Sequence, residues 1–317
     1  VKVLVIELHD RMVKGASSAV FEAIGKYDFS FGIKGENIVF SNNAKLYIIS
    51  ITLHYLNLLA IPPDMIRFLQ QYFDKILVVS VPRFTDRHAR VKERLQGLSF
   101  DFFWGADKLL LDLEKAKNDG TYDEAGTKKR QRQGKPLSQG ELACSLSHRL
   151  VYKAIIEHGW KKTLVLEDDV WPLFENMPLL ENAMNELPLS WDLVYLGYLK
   201  HEKVTAALKR KQLFYKFLSG MGLMKWNYTM ASNLLPRYFS KHLKKAGFHD
   251  CTHAYAISLE GAGKLLKEQT PVVYRADDLL SHTILQGKLS AFVTEPKFFD
   301  QEDFHVTETD SKIKETD

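Results

Sequence analysis

The sequence predicts an α/β protein built on an open sheet flanked by helices, and three stretches carry that expectation. Lys75-Ile76-Leu77-Val78-Val79-Ser80-Val81 and Thr163-Leu164-Val165-Leu166 are short apolar runs rich in β-branched residues, of strand rather than helix length. Between them, Ser138 and Glu141 have capping-box spacing ahead of a run that reaches about Gly159, which marks a helix. The second strand stops at Glu167-Asp168-Asp169. Ligands of an open α/β sheet collect outside the carboxyl ends of its strands, so a divalent cation and a phosphate-bearing ligand could meet at these carboxylates. If the chain stayed extended, Glu167 and Asp169 would share one face and Asp168 would take the other. Such hard oxygen ligands suit Mg²⁺ or Mn²⁺; the same acids could instead cap the next helix.

The 317 residues are 45% hydrophobic and 26% charged, enough for one large domain or two smaller ones. A net charge of +4 and a pI near 8.7 are too weakly basic for nucleic-acid binding but suit an anionic substrate or a membrane surface. Cys144 and Cys251 are too few for a disulfide framework or a zinc site, which points to a reducing cytoplasm and to burial as small hydrophobes. The N-terminus lacks the basic and apolar regions of a secretory signal. The longest apolar stretch, about Leu46 to Ile61, is interrupted by Thr52, His54 and Asn57 and falls short of a transmembrane span. With no initiating Met, the numbering is expected to begin inside a longer or processed chain.

Taken in order, Val1 to Leu8 reads as a strand, Ser17 to Tyr27 as a helix and Phe29 to Ser41 as a hairpin. With Ile6-Glu7-Leu8-His9 and Gly35-Glu36-Asn37-Ile38-Val39-Phe40, this order resembles the C-terminal end of an FkbM-type methyltransferase. Residues 1–43 are therefore expected to be the remnant of an upstream module. The glycine loop that binds S-adenosylmethionine is missing, so methyl transfer is not expected. Residues 44–74 read as a connector in which Pro62-Pro63 precedes a helix, Asp64 to Phe73.

The main domain, 75–305, opens with the first strand and a turn, Pro82-Arg83-Phe84-Thr85-Asp86-Arg87, into a basic helix from Arg87 to Leu95. Guanidinium forks and helix N-terminal amides both favour a diphosphate; a solvated helix start is the plainer role. Phe100 to Asp107 reads as a second strand, and residues 112–136 as an exposed, mobile loop. The helix after Ser138 would turn Leu142, Ser145 or Leu146, Arg149 and Lys153 inward, a small and polar face fit to pack beneath a nucleotide. Residues 200–250 are aromatic, basic and irregular, with Lys209, Arg210, Lys211, Trp226 and Tyr228 suited to an acidic sugar acceptor or to plain solvent exposure. His148 and His253 read as substrate or metal neighbours or as structural histidines. Residues 306–317 read as a disordered tail.

Taken together, Val79-Ser80-Val81-Pro82-Arg83 with Asp86-Arg87, Gly140-Glu141-Leu142-Ala143-Cys144-Ser145-Leu146-Ser147-His148 and Leu164-Val165-Leu166-Glu167-Asp168-Asp169 resemble glycosyltransferase family 25. Members include bacterial lipooligosaccharide and collagen galactosyltransferases. The similarity continues through Trp191 to Gly197, His253 to Ile257, Gly261-Ala262 and Arg275-Ala276-Asp277-Asp278, covering about residues 75 to 300. The resemblance implies a GT-A-type nucleotide-diphosphosugar transferase fold, a mostly parallel sheet flanked by helices. It implies inverting transfer of galactose or glucose from a UDP-hexose to a glycan acceptor such as a lipopolysaccharide or lipooligosaccharide core, lipid-linked acceptors included. It places Mn²⁺ or Mg²⁺ on Glu167 and Asp169, and the donor against Arg83, Arg87, Ser147, His148, Glu167 and Asp168. Ser80 and Pro82 depart from the family's Asn and acid at the first strand end, while Arg83 is kept.

Inversion needs a base opposite the leaving group and from another segment, for which Asp277 and Asp278 are the candidates; both could instead cap the helix that follows. Nucleic-acid partners are not expected. Peripheral contact at the cytoplasmic face of a membrane is. A Mg²⁺-dependent phosphohydrolase would also use strand-end carboxylates but needs a nucleophile motif that is not found. A non-catalytic glycan-binding module on the same fold is the other alternative.

Overall fold

The computed structural model describes residues 2–6, 30–34, 37–42, 60–131 and 134–305. The expected helix at 17–27, the connector at 44–59 and the tail at 306–317 lie outside the described residues. Near the N-terminus, β1 (Lys2–Ile6), β2 (Ser30–Lys34) and β3 (Asn37–Asn42) form a three-stranded antiparallel sheet with β3 in the centre, and β2 with β3 makes the expected hairpin.

The main domain follows as α1 (Pro63–Tyr72), β4 (Lys75–Ser80), α2 (Thr85–Arg94), β5 (Asp101–Trp104), α3 (Leu113–Asn118), α4 (Glu124–Arg130) and α5 (Gln139–His158). Next come β6 (Lys162–Glu167), β7 (Val170–Pro172), α6 (Leu180–Asn185), β8 (Leu193–Leu199), α7 (Ala206–Gly220) and α8 (Tyr228–Ser232). The last elements are β9 (Arg237–Tyr238), β10 (Leu243–Lys245), β11 (Asp250–Ser258), α9 (Leu259–Glu268), α10 (Ala276–Leu285), β12 (Ala291–Thr294) and β13 (Phe299–Gln301).

Eight strands make the large sheet, in the order β5-β4-β6-β11-β8-β12-β10-β9. β4 is parallel to β5 and β6, and β8 to β12, whereas β11 runs against β6 and β8, and β10 against β12 and β9. β5, β4, β6, β8, β12 and β9 thus share one direction, a mostly parallel α/β sheet of GT-A type.

Both faces of this sheet are covered, which explains why its strands read as continuous apolar runs. Alternation sends Val78, Leu164, Leu166 and Val194 to the face packed with Leu69 of α1 and Leu180 of α6. Leu77, Val79, Val165 and Tyr195 go to the other face, against Val151, Tyr152 and Ile155 of α5, Leu265 of α9 and Leu280 of α10. The cover of α9 depends on Gly261, where a Cβ would stand 2.2 Å from the carbonyl oxygen of Asp192. Helix α5 begins with the expected capping box: Ser138 Oγ accepts from Glu141 N and the Glu141 carboxylate accepts from Ser138 N at 2.9 Å.

Three expectations change. Residues 112–136 are not a mobile loop where they are described. Asp112 and Asp123 cap α3 and α4, accepting from Lys115 N at 2.9 Å and Gly126 N at 2.7 Å. Ala116 and Tyr122 are buried with Leu137, Leu142, Leu146 and Val272. Two helices this short give no periodicity to read, and their order comes from contacts distant in sequence. On α5, Lys153 is exposed and Arg149 half-buried, because Ser147, His148, Val151 and Tyr152 take the inner face. The irregular 200–250 stretch contains a helix of 15 residues, α7.

Candidate functional site

The site lies where β4 and β6 end side by side, with Val79 paired to Glu167. A pocket there is lined by Ser80, Arg83 and Arg87 from the β4–α2 turn, Asp107 and Lys108 after β5, Gly140, Cys144, Ser147 and His148 of α5, and Glu167, Asp168 and Asp169. The acidic triplet does not stay extended: β6 stops at Glu167, and Asp168-Asp169 form a turn into β7, which pairs with β13.

That turn gives the three acids different surroundings. Asp168 is buried, accepting from Ser80 Oγ and from Arg87 Nη1 at 2.6 Å, so it fixes the first turn of α2 to the strand ends. Asp169 lines the pocket while its carbonyl accepts from Glu302 N at 2.8 Å. Glu167 accepts from Thr252 Oγ1 and lies 3.2 Å from His148 Nε2. His148 is buried, its Nδ1 held 2.9 Å from the Tyr255 hydroxyl. Burial opposes ionisation of Glu167, but the hydrogen bonds and charge of His148, together with Thr252, outweigh it and hold the carboxyl below its ordinary range.

The arginines reach the pocket already oriented. Arg83 Nε donates to Asp107 at 2.8 Å, and both Arg83 and Arg87 pack over the Phe84 ring, with guanidinium carbons 4.3 and 5.2 Å from its centroid. A fork has five N–H donors, so one bond to a carboxylate leaves others for a phosphate. Ser147 also lines the pocket, but its hydroxyl donates to Ala143 O at 2.8 Å and accepts from Ala106 N at 2.9 Å, latching α5 to the β5 end. The latch requires Gly105, because a Cβ there would stand 2.3 Å from Ser147 Oγ.

Asp277 and Asp278 stand in the first turn of α10 and are not among the residues that line the pocket. Asp278 pairs with Arg275 at 2.7 Å. Asp277 lies beside Cys251, whose amide points at it from 3.5 Å and whose φ of 74° is the left-handed backbone that side chains other than glycine disfavour. Burial first, then the charge of Asp278, pushes the Asp277 carboxyl above its usual value. His253 is buried and pushed down to about 4 by that burial, a neutral core imidazole.

Sequence reasoning missed several members. Cys144 lines the pocket, and its Sγ, a His148 ring nitrogen and a Glu167 oxygen lie within 4.8 Å of one another, a mixed donor set able to hold a metal ion. Cys144 stands four residues before His148, the spacing that puts two side chains on one helix face, and that signal was available. Thr252 carries no sequence signal, since only the register of β11 against β6 brings it to Glu167. The donor set fits a divalent cation: His148 and Thr252 hold the Glu167 carboxyl below its ordinary range, and Asp169 and His148 line the same pocket.

A family model for glycosyltransferase family 25, described as an LPS biosynthesis protein, matches residues 73–280. The chain belongs to glycosyltransferase family 25. Relatives of this family 25 chain include procollagen galactosyltransferase 1 of Danio rerio, 29% identical over 247 residues, 71% of this chain and 35% of the relative. Procollagen galactosyltransferase 2 of Homo sapiens is 29% identical over 202 residues, 61% of this chain and 27% of that protein. A protein named inactive glycosyltransferase 25 family member 3, also of Homo sapiens, is 29% identical over 204 residues, 62% of this chain and 29% of its own length. The chain spans about a third of the length of the curated relatives it matches. The family match begins after residues 1–43 and does not bear on the module expected there.

Proposed function

We propose that this chain is a metal-dependent inverting hexosyltransferase that moves galactose or glucose from a UDP-sugar to a hydroxyl of a glycan acceptor such as a lipopolysaccharide core. One observation carries the reading: Arg83, Arg87, His148 and the acidic triplet line one pocket at the carboxyl ends of β4 and β6. Relatives named procollagen galactosyltransferase favour galactose. Glu167 and Asp169 would hold the cation, which when bound supplies charge neutralisation to the departing diphosphate. Arg83 and Arg87 bind the donor phosphates through N–H groups that Asp107 and Asp168 leave unused, and because these acids pre-set both forks, little ordering remains for donor binding.

Asp277 takes the proton of the acceptor hydroxyl as that oxygen bonds to the anomeric carbon and the bond to UDP breaks. A carboxylate whose proton affinity is raised is a better base than an ordinary aspartate. Asp278, held by Arg275, positions the turn. The competing reading, a glycan-binding module without turnover, is favoured by the relative named inactive. The two separate in one assay: UDP-galactose and UDP-glucose are incubated with Mn²⁺ and release of UDP is followed. Turnover that is lost in Asp169→Ala supports the transferase; donor binding with no turnover supports the module. Unchanged turnover in Asp169→Ala removes the metal role assigned to that turn.

A further inference from the structure

Between Lys203 and His249 the chain carries ten Lys or Arg residues and no Asp or Glu. This segment leaves the sheet at the end of β8, returns to its far side as β9 and β10, and leads into β11, where Asp250 pairs with Leu199 on the edge where β6 ends at Glu167. Its longest element, α7, has no buried residue. Thr205 Oγ1 caps its start, and Gln212 Nε2 ties its inner side to α8, donating to the carbonyls of Ala231 and Ser232 at 3.1 and 2.9 Å.

At the pitch of an α-helix, Leu213, Phe217 and Met221 fall in one line, with Phe214 beside it. These side chains are 69%, 61%, 59% and 57% exposed, and Leu223, just past the helix, is 64% exposed. Lys209 and Lys216 flank the line on one side and Lys211 on the other. Lys209, Arg210 and Lys211 form no ion pair with any described residue. Packing among the described residues does not account for large apolar side chains held in water. A soluble acidic glycan would account for the cations but not for the apolar line. A membrane interface accounts for both, because apolar side chains enter the acyl boundary while Lys and Arg stay at the phosphates. No described helix is long and apolar enough to cross a membrane.

We infer that α7 docks the chain in the plane of an anionic phospholipid surface. Docking there brings to a membrane the sheet edge that carries the acidic triplet, which suits capture of acceptors presented on lipid. The inference does not depend on catalysis.

The test is co-sedimentation of the full chain with vesicles of phosphatidylcholine alone or of phosphatidylcholine with phosphatidylglycerol, at low and high salt, with donor binding followed in parallel. The chain should pellet only with phosphatidylglycerol present, and salt should release it. The double variant Leu213→Glu/Phe217→Glu should lose at least tenfold in vesicle affinity with its melting temperature and donor binding unchanged. Neutralising Lys209, Arg210 and Lys211 to Gln should cost about fivefold for each charge, on the order of a hundredfold together. Should the double variant melt early, Leu213→Ser and Phe217→Ser take its place. Failure of the wild-type chain to pellet with phosphatidylglycerol overturns the inference, as does equal pelleting with phosphatidylcholine alone. Undiminished binding by the folded apolar variants overturns it too, by making α7 a site for soluble polyanions. Loss of donor binding alone would count against the pocket, not the docking.

Discussion

The two acids of α10 differ in what holds them, and that difference divides their roles. Asp278 is paired with Arg275, whereas Asp277 is pushed above the ordinary aspartate value by burial and by Asp278. Asp277→Asn should lower kcat by about a hundredfold or more, the usual scale for removing a general base, with donor binding retained. Asp278→Asn should do less. In the proposed mechanism the carboxylate form of Asp277 is the base, so activity should fall as pH drops through its folded pKa. Because that pKa is raised, the acid limb of the wild-type profile should lie above that of an ordinary aspartate, and a pH–kcat profile reads it directly. The sign for stability is the reverse: ionised Asp277 opposes folding above its unfolded pKa, so Asp277→Asn should melt no lower than wild type at neutral pH. Arg87→Ala should instead destabilise by about 3 kcal/mol, since it leaves the buried Asp168 carboxylate without its cation; denaturant unfolding measures this.

At the scale of elements, β4, β6 and α5 were legible because each buries a patterned face, whereas α7, which buries no residue, read as irregular. The acidic triplet stood out as the abrupt end of an apolar strand, and the Ser138–Glu141 capping box appears as read. Ser138→Ala should cost about 1 kcal/mol in thermal unfolding, the usual value of an N-cap. What stayed illegible rests on contacts distant in sequence. The helices α3 and α4 are held by Tyr122 against Leu137, whose amide donates to the Tyr122 hydroxyl at 2.9 Å, and by Thr127 against the Val273 carbonyl at 3.1 Å. Thr252 reaches Glu167 only through strand register. Gly261 gave no local signal either, yet Gly261→Ala should destabilise by about 1 to 3 kcal/mol through overlap with the Asp192 carbonyl, which is backbone and cannot swing aside.

For the whole molecule, sheet order explains why residues 80, 107, 148 and 167 meet. β4 lies between β5 and β6, so the turns after all three strands open on one edge, and α5 crosses beneath them. The antiparallel β11 then brings Thr252 and Cys251 to that edge from the opposite direction, and α10 follows with Asp277. Motif order along the chain showed that these segments belong together; it could not show which strands are neighbours, nor that the triplet turns instead of running on. In the proposed function the pocket takes a UDP-sugar together with a divalent cation. The most direct measurement is thermal stabilisation by a panel of nucleotide sugars, each with Mn²⁺ and with EDTA. At a hundredfold excess over Kd, a bound donor should stabilise the chain by about 2.7 kcal/mol. Stabilisation by a UDP-hexose that requires the metal and is lost in Asp169→Ala is the predicted result. Stabilisation that is the same in EDTA, or none by any donor, would contradict it.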